Sequence, residues 1–197
     1  MPLAILAYHS HHVVGPGYGE NDHVAFARDL DGLTDAHWRI VPLADLVRAH
    51  REGASDRLVA LTFDDGPVYD VDDVVHPDYG LQRGFANAMR AFAARRPGAQ
   101  PALHATSFVI ASPEARFAME ASADPRYTWL APGSMGEAWW SPAIDSGLVA
   151  IANHSWDHVH SALDHVMQRD QLKGTFSGID SLEDADSQIL QAEKYIA

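Results

Sequence analysis

Two stretches of this chain carry residues suited to metal chemistry at the end of an apolar run. Leu58-Val59-Ala60-Leu61-Thr62-Phe63 leads straight into Asp64-Asp65-Gly66-Pro67, and Leu148-Val149-Ala150-Ile151-Ala152 leads into Asn153-His154-Ser155-Trp156-Asp157-His158. The spacing of His154 and His158, on a helical turn, stacks two imidazoles on one side where both can reach a single ion. A carboxylate arriving from the other stretch completes three protein ligands. Open positions then remain for water and substrate, the arrangement of a catalytic rather than a structural site. Taken singly each feature is bland, since H-x-x-x-H pairs are common on surface helices and Asp-Asp-Gly makes turns. Adjacent aspartates cannot easily point the same way, so the pair divides the labour. One coordinates the ion, and the other stands beside a water whose pKa the ion lowers to about 7, taking its proton as general base. That activated water is the nucleophile toward an acyl carbonyl polarised by the same ion.

The elements that must position these residues read as strand alternating with helix, the pattern of a parallel sheet. Strands are expected at Leu3 to Tyr8, Leu58 to Phe63, Ala102 to Ile110 and Leu148 to Ala152. In such a sheet the carboxyl ends of all strands share one face, so both clusters should meet there. Leu43, Leu46 and Val47 form one helical stripe after Pro42, and Phe85, Met89 and Phe92 form another before Arg95-Arg96-Pro97-Gly98; these read as core. Ser141-Pro142 through Gly147 predicts a short helix capped by Ser141. Ser181 and Asp184 predict a terminal helix with Ile189, Ala192 and Ile196 facing the core. Asp70, Asp72, Asp73 and Asp78 read as a solvated acidic rim without calcium-loop spacing.

The composition narrows the class of partner. Lys+Arg 14 against Asp+Glu 27 gives a net charge of −13, a field that repels nucleic acid and anionic membranes. No cysteine is present, so a metal site must use nitrogen and oxygen ligands, and twelve histidines raise the prior for one. A single domain over residues 1–197 is expected. No apolar run is long enough to span a bilayer, and the first residues lack an export signal, which makes the cytoplasm the default location.

Thr62-Phe63-Asp64-Asp65-Gly66 and His154-Ser155-Trp156-Asp157-His158 resemble the first two signature motifs of the polysaccharide deacetylase family, in the right order. Ala105-Thr106-Ser107-Phe108-Val109 resembles the strand between them. The resemblance implies an α/β fold, a distorted (β/α) barrel, and hydrolysis of N-acetyl or O-acetyl groups on an oligo- or polysaccharide. It also implies a divalent metal, zinc first, with cobalt, nickel, manganese or iron as alternatives. Carried over by position, Asp64 is the base, and Asp65, His154 and His158 are the metal ligands. An Arg- and Pro-Tyr-Gly-containing motif and a later Leu-x-His motif, whose histidine protonates the leaving group, are not found. The resemblance therefore implies a barrel incomplete at its C-terminal end.

Other residues take smaller roles. His9, at the end of the first strand, could line the same face but reads first as a structural strand end; Trp129, Trp139 and Trp140 could offer flat faces to sugar rings but read first as core or lid packing, and Trp156 reads as packing beneath the imidazoles. His158-Val159-His160 is also an H-x-H pair, which would suit an amidohydrolase but lacks that class's companion residues. A non-catalytic saccharide-binding relative is the alternative function. A two-histidine, one-carboxylate iron oxygenase is disfavoured, because such sites sit on jelly rolls.

Overall fold

The computed structural model describes residues 3–53, 56–166, 179 and 181–197. The centre of the molecule is β3 (Leu58–Phe63), whose six residues are all buried. β1 (Leu3–Tyr8) pairs in parallel along one edge of β3, from Leu3 opposite Leu58 to Tyr8 opposite Phe63. The short β2 (Arg39–Ile40) takes the first two residues of the other edge. Beyond the paired hairpin strands β4 (Val74–His76) and β5 (Gly80–Gln82), β6 (Ala105–Val109) takes the last three residues of that edge. β7 (Val149–Asn153) adds to β6, again in parallel. A run buried on both sides loses its period-2 alternation, which is why β3 reads as continuously apolar.

Helices cover both faces. On one side Val59, Leu61 and Phe63 pack with Phe26 of α1 (Asp22–Asp35) and with Phe85, Met89 and Phe92 of α3 (Phe85–Arg95). Phe63 and Phe85 lie 4.6 Å apart and Tyr8 meets Phe26 edge-on at 5.1 Å, orientations that suit the ring quadrupoles. On the other side Leu58 and Ala60 pack under Leu46 of α2 (Leu43–Arg51). The Phe85-Met89-Phe92 stripe is therefore core, as its spacing predicts. The parallel α/β sheet is unlike a jelly roll, so the oxygenase reading loses its scaffold.

Three local expectations are corrected. The helix before β7, α5 (Trp140–Asp145), follows α4 (Pro113–Glu120) and begins one residue before Ser141, which is not its cap. Trp139 and Trp140 are buried in the main core and hold that start in place. The terminal helix α6 is assembled from Leu182–Ala185, a π-helical stretch Asp186–Gln191, and Ala192–Ile196. Ser181 caps it as predicted, and Ala192 is buried, but Ile189, inside the π-helical stretch, is exposed rather than facing the core. The acidic stretch after β3 is no simple rim: it folds into the β4–β5 hairpin, and Asp70 is completely buried. Among the described residues no helix is long and apolar enough to cross a membrane.

Candidate metal centre

The register sets the carboxyl ends of β1 and β3 side by side, Tyr8 beside Phe63, and carries β6 and β7 two residues beyond the Phe63–Ser107 pair on the same side of the sheet, to Val109 beside Asn153. The next residues are His9, Asp64 and His154. Backbone hydrogen bonds then tie the two clusters together: the Asp64 N–H donates to Tyr8 and the His154 N–H to Val109. The residues following β6 act as a clamp. Ile110 N–H donates to the Asp65 carbonyl, Ala111 N–H to Ser155 and Ser112 N–H to Trp156. Both loops thus hang from a segment that is itself buried.

Asp65 stands at φ 72 and Gly66 at φ 78, two successive left-handed residues. Past this turn the two carboxylates have different near partners, Asp64 Oδ2 facing His9 and Asp65 Oδ1 facing His154 and His158. Gly66 has no alternative here, since a Cβ would lie 2.6 Å from Val109 Cγ1. The histidine pair is not on a helix, contrary to the expectation from its spacing. Ser155, His158 and Val159 have φ values of 75, 59 and 47, so left-handed turns rather than an α-helical turn bring the two rings to 5.0 Å. Non-glycine residues held there store local strain, a feature that clusters at functional sites.

One oxygen of Asp65 and one nitrogen each of His154 and His158 lie within 4.8 Å of one another. Asp65 Oδ1 is 3.3 Å from His154 Nε2 and 3.8 Å from His158 Nε2. Burial pushes the Asp65 carboxyl up, but the His154, His11 and His158 rings outweigh it and hold it well below the usual carboxylate range. Burial lowers His158 to about 4, against the pull of Asp65, so its ring is neutral at pH 7 with a lone pair to give. An ionised carboxylate with two imidazoles, at least one of them held neutral, is a donor set that fits a divalent ion such as zinc. Asp64 lies beside this group, its carboxyl pushed up by burial against the opposing His154 and His9 rings. A groove of about 770 Å³ lined by Ile5, Thr62, Phe108 and Ile189 has Asp64 and His154 at its head.

Two histidines that spacing alone did not single out also belong here. His9 Nε2 is 3.8 Å from Asp64 Oδ2, which places it in the site rather than in a purely structural strand end. Its backbone N–H donates to Asp22, whose other oxygen faces His12 Nδ1 at 2.8 Å. His11 Nε2 is 3.6 Å from Asp65 Oδ2. For His9 the signal was its place at the end of the first strand, and for His11 only the histidine-rich stretch His9-Ser10-His11-His12. His160 lies outside the trio, its ring 6.3 Å from His158 and edge-on to Tyr127, so the H-x-H reading is not supported. Trp156 does not pack beneath the imidazoles; its ring meets Tyr195 of α6 edge-on. Trp129 stacks on Tyr69 and donates to the His11 carbonyl, a packing role.

The fold and donor set define an α/β protein with a candidate divalent-metal centre at the carboxyl ends of a parallel sheet. No family model matches the sequence, and no curated protein matches it. Among solved structures the chain is similar to BA0330 from Bacillus anthracis, a protein assigned to the polysaccharide deacetylases. The match has a TM-score of 0.53 and 14% identity, covering 98% of this chain and 46% of that one. Looser likenesses, both at a TM-score of 0.45, are to IcaB from Ammonifex degensii and to the deacetylase PplD from Streptococcus pyogenes. Their identities are 22% and 16%; the first covers 79% of this chain and 54% of that one, the second 98% and 80%. The chain has the polysaccharide deacetylase fold and spans just under half the length of BA0330, 46% of it.

Proposed function

We propose that this protein, acting as one domain over residues 1–197, hydrolyses N-acetyl or O-acetyl groups from an oligo- or polysaccharide. In this reading Asp65, His154 and His158 hold a divalent cation, with Asp64 as general base. The observation that carries it is the convergence of those three donors, from two distant strand ends, within 4.8 Å. A divalent ion there, zinc first and cobalt, nickel, manganese or iron after it, supplies Lewis acidity toward an acyl carbonyl and a water molecule.

The protein's own groups supply the proton transfers. Asp64, raised by burial toward the working pH, accepts a proton from the attacking water. His9, 3.8 Å from Asp64 and anchored by Asp22, gives a proton to the departing amine nitrogen or alkoxide oxygen as its bond to the acyl carbon breaks and acetate leaves. His9 thus takes the part that the resemblance assigns to a late histidine motif. The groove of about 770 Å³ leading to Asp64 has room for a saccharide chain.

Acetate release from a panel of acetylated oligosaccharides tests the reading, with metal content measured on the same preparations. Asp64→Asn should keep the metal and lose acetate release, by about 10²-fold or more for a general base. Asp65→Asn and His158→Ala should lose the metal itself. Equal metal loss in all three variants would overturn these roles, and sugar binding without acetate release would make the protein a binding module instead.

A further inference from the structure

Behind the metal-ligating carboxylate lies a histidine with one orphaned nitrogen. His11 is 4% exposed and its ring is wedged between Tyr127, at 4.9 Å, and His9, edge-on at 5.4 Å. The two oxygens of Asp65 face different partners: Oδ1 turns to His154 and His158, whereas Oδ2 turns to His11 Nε2 at 3.6 Å. His11 is not one of the three converging donors. Its Nδ1 is buried with no hydrogen-bond partner.

The tautomer follows from these neighbours. A neutral imidazole carries one N–H and one lone pair. A lone pair at Nε2 would oppose an anionic carboxylate oxygen, and nothing accepts a hydrogen at Nδ1, so the hydrogen belongs on Nε2. We propose that His11 is a positioning residue: at 3.6 Å, beyond hydrogen-bond length, its Nε2–H attracts Asp65 Oδ2 electrostatically and biases that oxygen away from the imidazoles, so that Asp65 would meet a bound ion through Oδ1 alone and leave a coordination position free for substrate. The inference rests on the metal-centre reading above. A carboxylate free to rotate could offer both oxygens and occupy that position itself.

The test compares His11→Gln with His11→Asn. The amide nitrogen of glutamine reaches the place of Nε2, and that of asparagine only the place of Nδ1, while both variants lose the ring packing. Each metal-stripped protein is titrated with cobalt(II), followed by calorimetry and by the visible d–d band, whose intensity falls as coordination number rises. Wild type and His11→Gln should bind alike, whereas His11→Asn should bind about 10–100-fold more weakly, as loss of an outer-shell partner does, with a weaker band. If His11→Asn matches a cobalt-binding wild type, or if both variants weaken or unfold together, His11 merely packs and the inference is overturned. A wild type that binds no cobalt overturns the metal centre and this inference with it.

Discussion

His9 and Asp64 meet at 3.8 Å because the Tyr8–Phe63 register sets the next residue of each strand side by side. Asp22, the first residue of α1, accepts the His9 backbone N–H and stands 4.0 Å from its Nδ1, which fixes the position of the ring. His9→Gln should therefore lower kcat by about 10²–10⁴-fold while leaving cobalt affinity intact, and should remove one limb of the pH–rate profile. Unchanged kcat would return His9 to a structural role. At this scale the sequence was legible in part. His154 and His158 announce themselves by their spacing, and Asp64-Asp65 by its place after an apolar run. His9 carries only the signal of its place at the end of the first apolar run, because its meeting with Asp64 depends on the neighbouring strand.

The elements hold the site through turns rather than through helices. The Asp65-Gly66 turn is pressed against β6, and the residues after β6 clamp both loops. Gly66→Ala would combine a left-handed alanine, about 1–2 kcal/mol, with crowding against Val109 of about 1–3 kcal/mol. Urea unfolding should show a loss of about 2–5 kcal/mol, the sum of these two terms, together with weaker metal binding. A variant as stable as wild type would mean that β6 yields easily. On the far side, the π-helical turn of α6 frees carbonyls that an α-helix would use. Gln188 and Ile189 accept from the Trp156 N–H and the Asn153 amide, and the Gln188 side chain donates to Asp157 at 2.7 Å. Strand positions were readable from their apolar runs. The β4–β5 hairpin and the π turn were not, since neither has a distinctive composition and both depend on what they pack against.

For the molecule as a whole, Asp70 joins three separate segments at the base of the site. Ser10, just past β1, and Ser107, on β6, each donate a hydroxyl to it at 2.6 Å. Burial first, and the Asp65 and Asp64 charges after it, push its carboxyl up to about 7 against the pull of the two serine hydroxyls. Because the folded value lies above the unfolded one of about 3.9, the protonated form is the one the fold favours. Its contribution to stability is complete below the unfolded value and is lost as pH rises through about 7. Burial shifts His11 the opposite way, down to about 4, so its contribution is present above about 6.5 and lost as pH falls toward 4. Asp70→Asn should isolate the first effect: relative to wild type, its melting temperature should rise from pH 4 to about pH 7 and level off above it. A difference independent of pH would show that Asp70 does not titrate in this window.

Periodicity, turn residues and the order of the two clusters determined the parallel α/β arrangement, because those properties are written in neighbouring residues, and the resemblance of the two motifs singled out Asp65, His154 and His158, which the fold brings within 4.8 Å. Which oxygen of Asp65 faces the imidazoles, that His9 stands by Asp64, that His11 stands behind Asp65, and that Asp70 is buried were decided by tertiary structure alone. Each depends on strand register between segments far apart in the chain and on exclusion of water, and neither distance nor burial across the sheet is encoded in any local stretch of residues.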